Sequence, residues 1–199
     1  SICPETHGFA ARQTHVSTPE LDSESGQWAG PFVMAAVNTR VVHRSNALQD
    51  SAYGLNFKYD ESMLMGKGTK GRLRAAGFGV GLGLFLVGAA VKPTRWLMEN
   101  YMLPKPGEGP SPREQENGLY DLRFVGTTDK GEEIRTKVTG DRDPGYGSTS
   151  KMLAQAGISL ALDISKKEKS GGFWTTATVF DQRFIDRLQQ HAGLTFSVV

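Results

Sequence analysis

Between Gly140 and Met152 the chain reads Gly-Asp-Arg-Asp-Pro-Gly-Tyr-Gly-Ser-Thr-Ser-Lys-Met. Two carboxylates, an arginine, a tyrosine, three hydroxyls and a lysine gather there around three glycines and a proline. Pro144-Gly145 marks a tight turn, and Gly145 and Gly147 permit close backbone approach. Ser148 or Thr149 suits the N-cap of whatever helix follows. Polar groups at a strand-to-helix junction meet the unpaired N–H groups of a helix start, where an anion is favoured. Asp143 and Tyr146 are therefore candidate catalytic residues, as acid–base groups beside an anionic ligand. The competing expectation is a well-capped turn with no chemistry. Asp141 and Asp143 suit paired acids on the first reading and turn-forming groups on the second. Tyr146 and Lys151 lie five apart, and a tyrosine needs a nearby cation before it works as an acid or base near neutrality.

A second candidate cluster is basic. Arg40, His43 and Arg44 fall within about one turn of an expected short helix, Arg40 to Leu48, capped by Asn38 or Thr39. One reading of the cluster is a solvated helix face, the other an anion contact from Arg40 or Arg44, and Asn38 and Arg40 are the candidate substrate-binding residues. Other chemistry finds no support. His7, His15, His43 and His191 lack metal-ligand spacing, so no metal site is expected. There is no G-x-S-x-G elbow. Gly66, Gly68 and Gly71 match G-x-G-x-x-G, yet only Met63-Leu64-Met65 precedes them, and Arg95 and Trp96 stand near where an acidic residue belongs.

The elements that must position these residues can be read in outline. Residues 1–28 are polar and aperiodic, a connector or partly ordered segment, and 29–199 form the α+β domain. Phe32 to Val37 is apolar and expected to be buried. Tyr53, Leu55, Phe57 and Tyr59 alternate with smaller or polar residues, the pattern of a half-buried strand. Ala75 to Val91 carries no charge, has five glycines, and lies between Arg72, Arg74 and Lys92, Arg95. As a helix it would span about 25 Å, short of a bilayer core of about 30 Å. Two readings stand side by side: a helix buried against a close neighbour, or a shallow lipid-binding segment with Trp96 and Tyr101 at its margin. A proline-rich loop follows at 103–112. Leu119 to Gly126 and Glu132 to Thr139 form a hairpin over Asp129-Lys130-Gly131. Leu153, Ala156, Gly157, Leu160 and Ala161 predict a buried stripe on the helix from about Thr149 to Asp163. Phe173 to Thr175 reads as a short strand. Asp181 caps a helix that Gly193 stops, and Leu194 to Val199 reads as a strand buried on both faces.

The totals narrow the function classes. A length of 199 residues suits one domain or a domain with an appendage. A net charge of +2, without a basic run interleaved with aromatics, argues against a nucleic-acid binder. One cysteine, Cys3, forms no internal disulfide and fits a reducing, cytoplasmic setting, peripheral to a lipid surface if 75–91 contacts lipid. Ser1-Ile2-Cys3-Pro4 reads as the interior of a longer chain.

Four blocks together resemble the C-terminal half of saccharopine dehydrogenase-like oxidoreductases, a group that includes trans-acting enoyl reductases of lipid assembly. The first is Gly30-Pro31-Phe32-Val33-Met34-Ala35 with Asn38-Thr39-Arg40-Val41-Val42-His43-Arg44-Ser45-Asn46-Ala47-Leu48. The second is Leu103-Pro104-Lys105-Pro106-Gly107-Glu108-Gly109-Pro110-Ser111, and the third runs from Gly140 to Gly147 with Met152-Leu153-Ala154. The last runs from Gly171-Gly172-Phe173-Trp174-Thr175 through Arg187-Leu188 to Ala192-Gly193-Leu194-Thr195-Phe196-Ser197-Val198. Thr176 departs from the proline often found after that threonine. The resemblance implies a mixed, largely antiparallel sheet with packed helices. It also implies a partner Rossmann domain missing from this chain, NADP or NAD bound by that partner and not by this chain alone, and reduction of an enoyl or keto group on a lipid-like substrate. A homodimer stays open, as does a non-catalytic lipid-surface or scaffold module.

Overall fold

The computed structural model describes Cys3, Gly8, Phe9, residues 11–105 and residues 107–199. His7, Pro106 and the stretch Ser1-Ile2 with Pro4 lie outside the described residues. The class is α+β. Two three-stranded antiparallel sheets and seven helices occur among the described residues. The chain divides into two compact units, residues 1–105 and 106–199, each holding one sheet.

In the first unit, β1 (Glu20–Leu21), β2 (Trp28–Pro31) and β3 (Ser62–Leu64) pair antiparallel in that order. Ala29 stands opposite both Glu20 and Leu64, so β2 is central. Helix α1 spans Ala35–Leu48, and α2 spans Gly68–Ala90. The start of α2 crosses β2 where small residues let backbones approach. A Cβ on Gly30 would lie 3.6 Å from Ala75, which is fully buried. Helix α3 (Lys92–Tyr101) turns back after Val91 and sets Met98 against Gly88.

Several expectations change here. Helix α1 begins five residues earlier than Arg40, so Asn38 and Thr39 lie inside it and cap nothing. Thr39 instead donates to the Ala35 carbonyl at 2.6 Å. Within Phe32 to Val37, Val33, Met34 and Val37 are exposed, because the sheet they adjoin is covered by α2. Residues 53–59 join no ladder. The backbone of Phe57 and Tyr59 bonds the Gln13 side chain instead, through Gln13 Nε2 to Phe57 O and Tyr59 N to Gln13 Oε1, both 3.1 Å. The period of two survives only as Phe57 and Tyr59 half-buried between exposed neighbours. The turn before them is fixed by fully buried Asn46, which accepts from Tyr53 N and donates to Gly54 O.

Helix α2 is longer than the uncharged run, at 23 residues or about 34 Å. Among the described residues it is the one helix long and apolar enough to cross a membrane, and 6% of its most apolar stretch is buried. Lys70, Arg72 and Arg74 belong to its first two turns, so the uncharged run still begins at Ala75. The buried-helix reading of 75–91 does not describe this unit, because β2 covers only the first part of α2.

The second unit opens with α4 (Pro112–Asn117), whose capping box pairs Ser111 with Glu114. Strands β4 (Tyr120–Thr127) and β5 (Glu133–Gly140) form the expected hairpin, with Leu122 opposite Val138 and Phe124 opposite Thr136. Gly131 takes a φ of 79° in its turn. Helix α5 spans Gly147–Leu162, α6 spans Thr176–Val179, α7 spans Gln182–His191, and β6 (Leu194–Val198) pairs with β5. Leu188, Ala192 and Leu194 form the buried core, covered by Val138, Met152, Phe184 and Phe196. Asp181 caps α7 through Arg183 N, and Gly193 stops it at a φ of 72°.

The stripe on α5 faces the other way. Leu153 is 72% exposed and Leu160 50%, whereas Ser148 and Ser159 are buried. Residues 152–162 are uncharged all round, so periodicity does not choose a face. The polar contacts do: Arg187 of α7 bonds Asp163 at 2.9 Å and Gln155 at 3.4 Å, which turns that side of α5 inward. Phe173 to Thr175 forms no strand. Thr175 caps α6, and Trp174 Nε1 donates to Ser170 O at 2.9 Å. Strand β6 is an edge rather than a centre, because it pairs only with β5 and leaves Thr195 and Val198 exposed.

Candidate functional site

Strand β5 ends at Gly140 and α5 starts at Gly147, so the 140–152 stretch is the strand-to-helix junction that its residues imply. Its N-cap is Tyr146, not Ser148 or Thr149. The capping oxygen comes from further back. The Asp143 carboxylate accepts from Gly145 N at 3.1 Å, Tyr146 N at 2.7 Å and Gly147 N at 2.9 Å. These donors, Gly147 first and then Tyr146, hold its pKa below the ordinary aspartate range. The anion that a helix start attracts is thus supplied by the protein's own side chain.

The hydroxyls are engaged as well. Ser148 Oγ shares a 2.9 Å hydrogen bond with Tyr120 Oη, Thr149 donates to Pro144 O, and Ser150 donates to Gly147 O. Lys151 donates to both Asp141 oxygens at 3.1 and 3.2 Å, and to Ala192 O at 3.3 Å. It therefore serves Asp141 rather than forming an acid pair with Tyr146. Asp141 is itself half-exposed, and its carboxylate occupies the space a side chain at Gly193 would need.

Close packing explains the glycines around the junction. A Cβ on Gly118 would overlap the Asp143 backbone, and one on Gly147 would stand 3.0 Å from Gln115 O. Tyr146 lies over Gly109, 3.5 Å from where a Cβ would be, and its side chain remains exposed. Three of the four resembling blocks thus meet here. Gly109 touches Tyr146, Asp141 reaches Gly193 through their close approach, and Gly140 pairs with Leu194. Sequence reasoning missed Tyr120, Gly118 and Gln115, whose only signal was their type, since none lies near the junction in sequence.

Asn38 and Arg40 lie in the other unit, on α1. Asn38 Nδ2 donates to Glu61 Oε2 at 2.9 Å, and Tyr59 Oη donates to Glu61 Oε1 at 2.9 Å. Burial, reinforced by the Glu61 hydrogen bond, pushes the Tyr59 phenol upward. Tyr59 thus stays a neutral donor, and Glu61 is held from two sides. Arg40 is exposed, and His43 makes ring contacts with Phe9 and Phe57 at 6.0 and 5.7 Å. Glu61 and Tyr59 were not foreseen as partners of Asn38.

No group of acidic, histidine or cysteine side chains that could hold a metal occurs among the described residues. The glycine motif at 66–71 does sit between a strand and a helix, but β3 runs antiparallel to β2 and no parallel strand pair occurs among the described residues. Gly66 O accepts from Trp28 N at 2.8 Å, and Gly71 presses against the same carbonyl. A Cβ on Gly71 would overlap that carbonyl, and the turn lacks the parallel strand pair that frames a dinucleotide-binding fingerprint.

No family model matches the chain, and no solved structure matches it. Curated proteins do. A Mycobacterium tuberculosis protein, provisionally named a trans-acting enoyl reductase, is 38% identical over 174 residues, covering 85% of this chain and 40% of that protein. A trans-acting enoyl reductase of Mycobacterium bovis is 38% identical over 183 residues, covering 90% and 43%. One of Mycobacterium ulcerans is 35% identical over 188 residues, covering 92% and 43%. These names bear on enoyl reduction and not on saccharopine chemistry. The chain is similar to trans-acting enoyl reductases over most of its own residues, and it spans about two fifths of their length.

Proposed function

We propose that this chain is the substrate-side portion of an enoyl reductase. The observation that carries this reading is 38% identity to trans-acting enoyl reductases across 85–90% of the chain. Enoyl reduction delivers a hydride to the β-carbon of a conjugated double bond and a proton to the α-carbon. The hydride source, NADPH or NADH, is assigned to the part of the longer relatives that this chain does not span, since the glycine turn at 66–71 lacks the parallel strand pair that frames a dinucleotide-binding fingerprint. Saccharopine dehydrogenase-like kinship of the longer protein belongs to the same proposal. The exposed apolar face of α5, with Leu153 and Leu160, supports a lipid-like acyl substrate.

Within this chain Tyr146 is the proposed proton donor, because its side chain is exposed at the junction while Asp143 is engaged as the cap; with Lys151 held by Asp141, the cation that activates it has to come from outside this chain. In the first unit, taken by itself, Asn38 and Arg40 are the proposed substrate contacts, with Asn38 oriented by Glu61. The test is reduction of an enoyl thioester by the full-length protein, with nicotinamide oxidation followed by absorbance and the saturated product by mass spectrometry. Product formation is expected, and a folded full-length protein that leaves the double bond intact overturns the reading. Tyr146→Phe is expected to lower turnover more than tenfold, about 1.4 kcal/mol or more. Unchanged turnover with normal folding removes Tyr146 from the chemistry. Micromolar NADPH affinity of the 199-residue chain, measured by calorimetry, would relocate the cofactor site.

A second reading, a lipid-surface or scaffold module without chemistry of its own, is favoured by the exposure of α2. Absence of turnover in the full-length protein, with vesicle binding retained, selects it.

A further inference from the structure

We propose that the α2–α3 hairpin docks the protein onto anionic lipid surfaces, lying in the membrane plane rather than crossing it. The inference stands apart from enoyl reduction and holds under either functional reading. It starts from the division of α2 into two parts. Its first turns are held to the sheet, with Ala75 buried under Gly30 and a Cβ on Gly79 placed 3.8 Å from Pro31. Beyond Gly79 the cover ends. Val80, Leu84, Leu86 and Val87 are 58–69% exposed, and Phe85 is 43% exposed. On α3, Trp96, Leu97 and Tyr101 are 50–74% exposed, while Met98 turns inward against Gly88. The two helices meet around Gly88, against Met98 and the Thr94 hydroxyl, and present their large apolar side chains outward.

Charge complementarity identifies the occupant. Residues 67–103 hold six of the 23 basic residues of the chain and one of its 21 acids, Glu99. That acid lies 3.7 Å from Arg95. The remainder of the chain carries more acids than bases, so the positive charge is concentrated where the apolar surface is exposed. An apolar strip bordered by cations, with Trp96 and Tyr101 in edge contact at 6.1 Å, matches an anionic lipid interface. A protein partner of the same shape would need an apolar groove ringed by acids, and it would not discriminate among lipids.

The geometry also selects the orientation. Crossing would require Ala75 to leave strand β2 at Gly30, and Gly71 to leave the Gly66 turn. It would also carry Lys92 and Arg95, which sit at the turn between the helices, to the deepest point of a hairpin insertion. Lying flat lets these side chains reach the phosphates while Leu84, Phe85 and Trp96 enter the acyl boundary.

The test is flotation of the full chain with phosphatidylcholine vesicles, with and without phosphatidylglycerol, at low and high salt. Recovery with the anionic vesicles alone, reduced by salt, is the expected result. The exposed-site variant Leu84→Asp/Phe85→Asp is expected to lose at least fivefold in recovery while keeping the wild-type circular dichroism. A second variant, Trp96→Phe, is expected to abolish most of the emission blue shift on vesicle addition. Wild-type Trp emission should be quenched more by lipids brominated near the headgroup than near the chain end. Equal recovery with neutral and anionic vesicles, recovery with neither, or a folded aspartate variant that floats like wild type overturns the docking. Stronger quenching from the chain end overturns the in-plane orientation.

Discussion

Gly140→Ala tests whether the strand-to-helix junction is a packed structural joint. Gly140 is buried, and a Cβ there would fall inside the Tyr120 ring and 2.5 Å from its hydroxyl. The ring cannot yield freely, because Tyr120 stands opposite Gly140 in the β4–β5 ladder and its hydroxyl bonds fully buried Ser148 at 2.9 Å. Overpacking of this kind costs about 1–3 kcal/mol. Displacing the ring also removes the Tyr120 partner of the Ser148 hydroxyl, another ~1–3 kcal/mol. Restricting the unfolded backbone returns about 0.4–1 kcal/mol. The net expectation is a loss of about 3 kcal/mol. With a urea slope of about 1–3 kcal/mol per molar, the unfolding midpoint should fall by about 1 M or more. Equilibrium urea unfolding followed by circular dichroism, with hydrogen exchange across residues 120–140 to localise the effect, measures this. Tyr120→Phe alone should cost only the hydrogen bond. The double variant Gly140→Ala/Tyr120→Leu should recover part of the Gly140→Ala loss, since the methyl group gains room. A Gly140→Ala chain that melts within about 0.5 kcal/mol of wild type would show that the joint is loose and refute the packing described for it.

Asn46→Asp replaces the donor to Gly54 O with an acceptor in a fully buried position, so a loss of about 2–4 kcal/mol is expected in urea unfolding. A shift below about 0.5 kcal/mol would show that the 49–54 turn does not depend on it. Asp163, held below its ordinary pKa by Arg187 foremost, and Asp143, held down by backbone N–H groups, set an acid limit. Because their folded pKa values lie below the unfolded ones, their contribution is complete above the ordinary carboxylate range near ~4 and is lost as pH falls through the folded values. The urea midpoint should therefore decline on acidification. Asp163→Asn should flatten that decline, and a variant with the wild-type acid slope contradicts the assignment.

Sequence carried some parts of this molecule further than others. The β4–β5 hairpin was legible because alternation and Asp129-Lys130-Gly131 agree with each other, and Asp181 with Gly193 bracketed α7 in the same way. Residues 53–59 misled, since alternating burial records only that one side is covered. Here the cover is α1 and a segment tied through Gln13, and none of the described strands pairs with them. On α5 an uncharged surface left rotation undetermined until Arg187, distant in sequence, claimed Gln155 and Asp163. The junction was found from its composition, but its wiring was not. Gly118, Tyr120 and Gln115 lie 20 or more residues from the positions they lock, and nothing local marks such partners. Asn38 was singled out as a substrate contact, whereas the structure shows its amide bound to Glu61, a partner that lies outside any recognisable pattern.

The Asp143 cap has one consequence that concerns ligands in general. A helix start with three converging N–H groups is a receptor for small anions, and here the receptor carries its guest on a covalent tether. Tethering over so few bonds corresponds to an effective concentration on the order of millimolar or above, set against free phosphate or carboxylate competing for the same three donors. The junction is in this sense self-inhibited toward anions. Any evolutionary or engineered route to binding one there begins with the loss of a side chain, not with the gain of one.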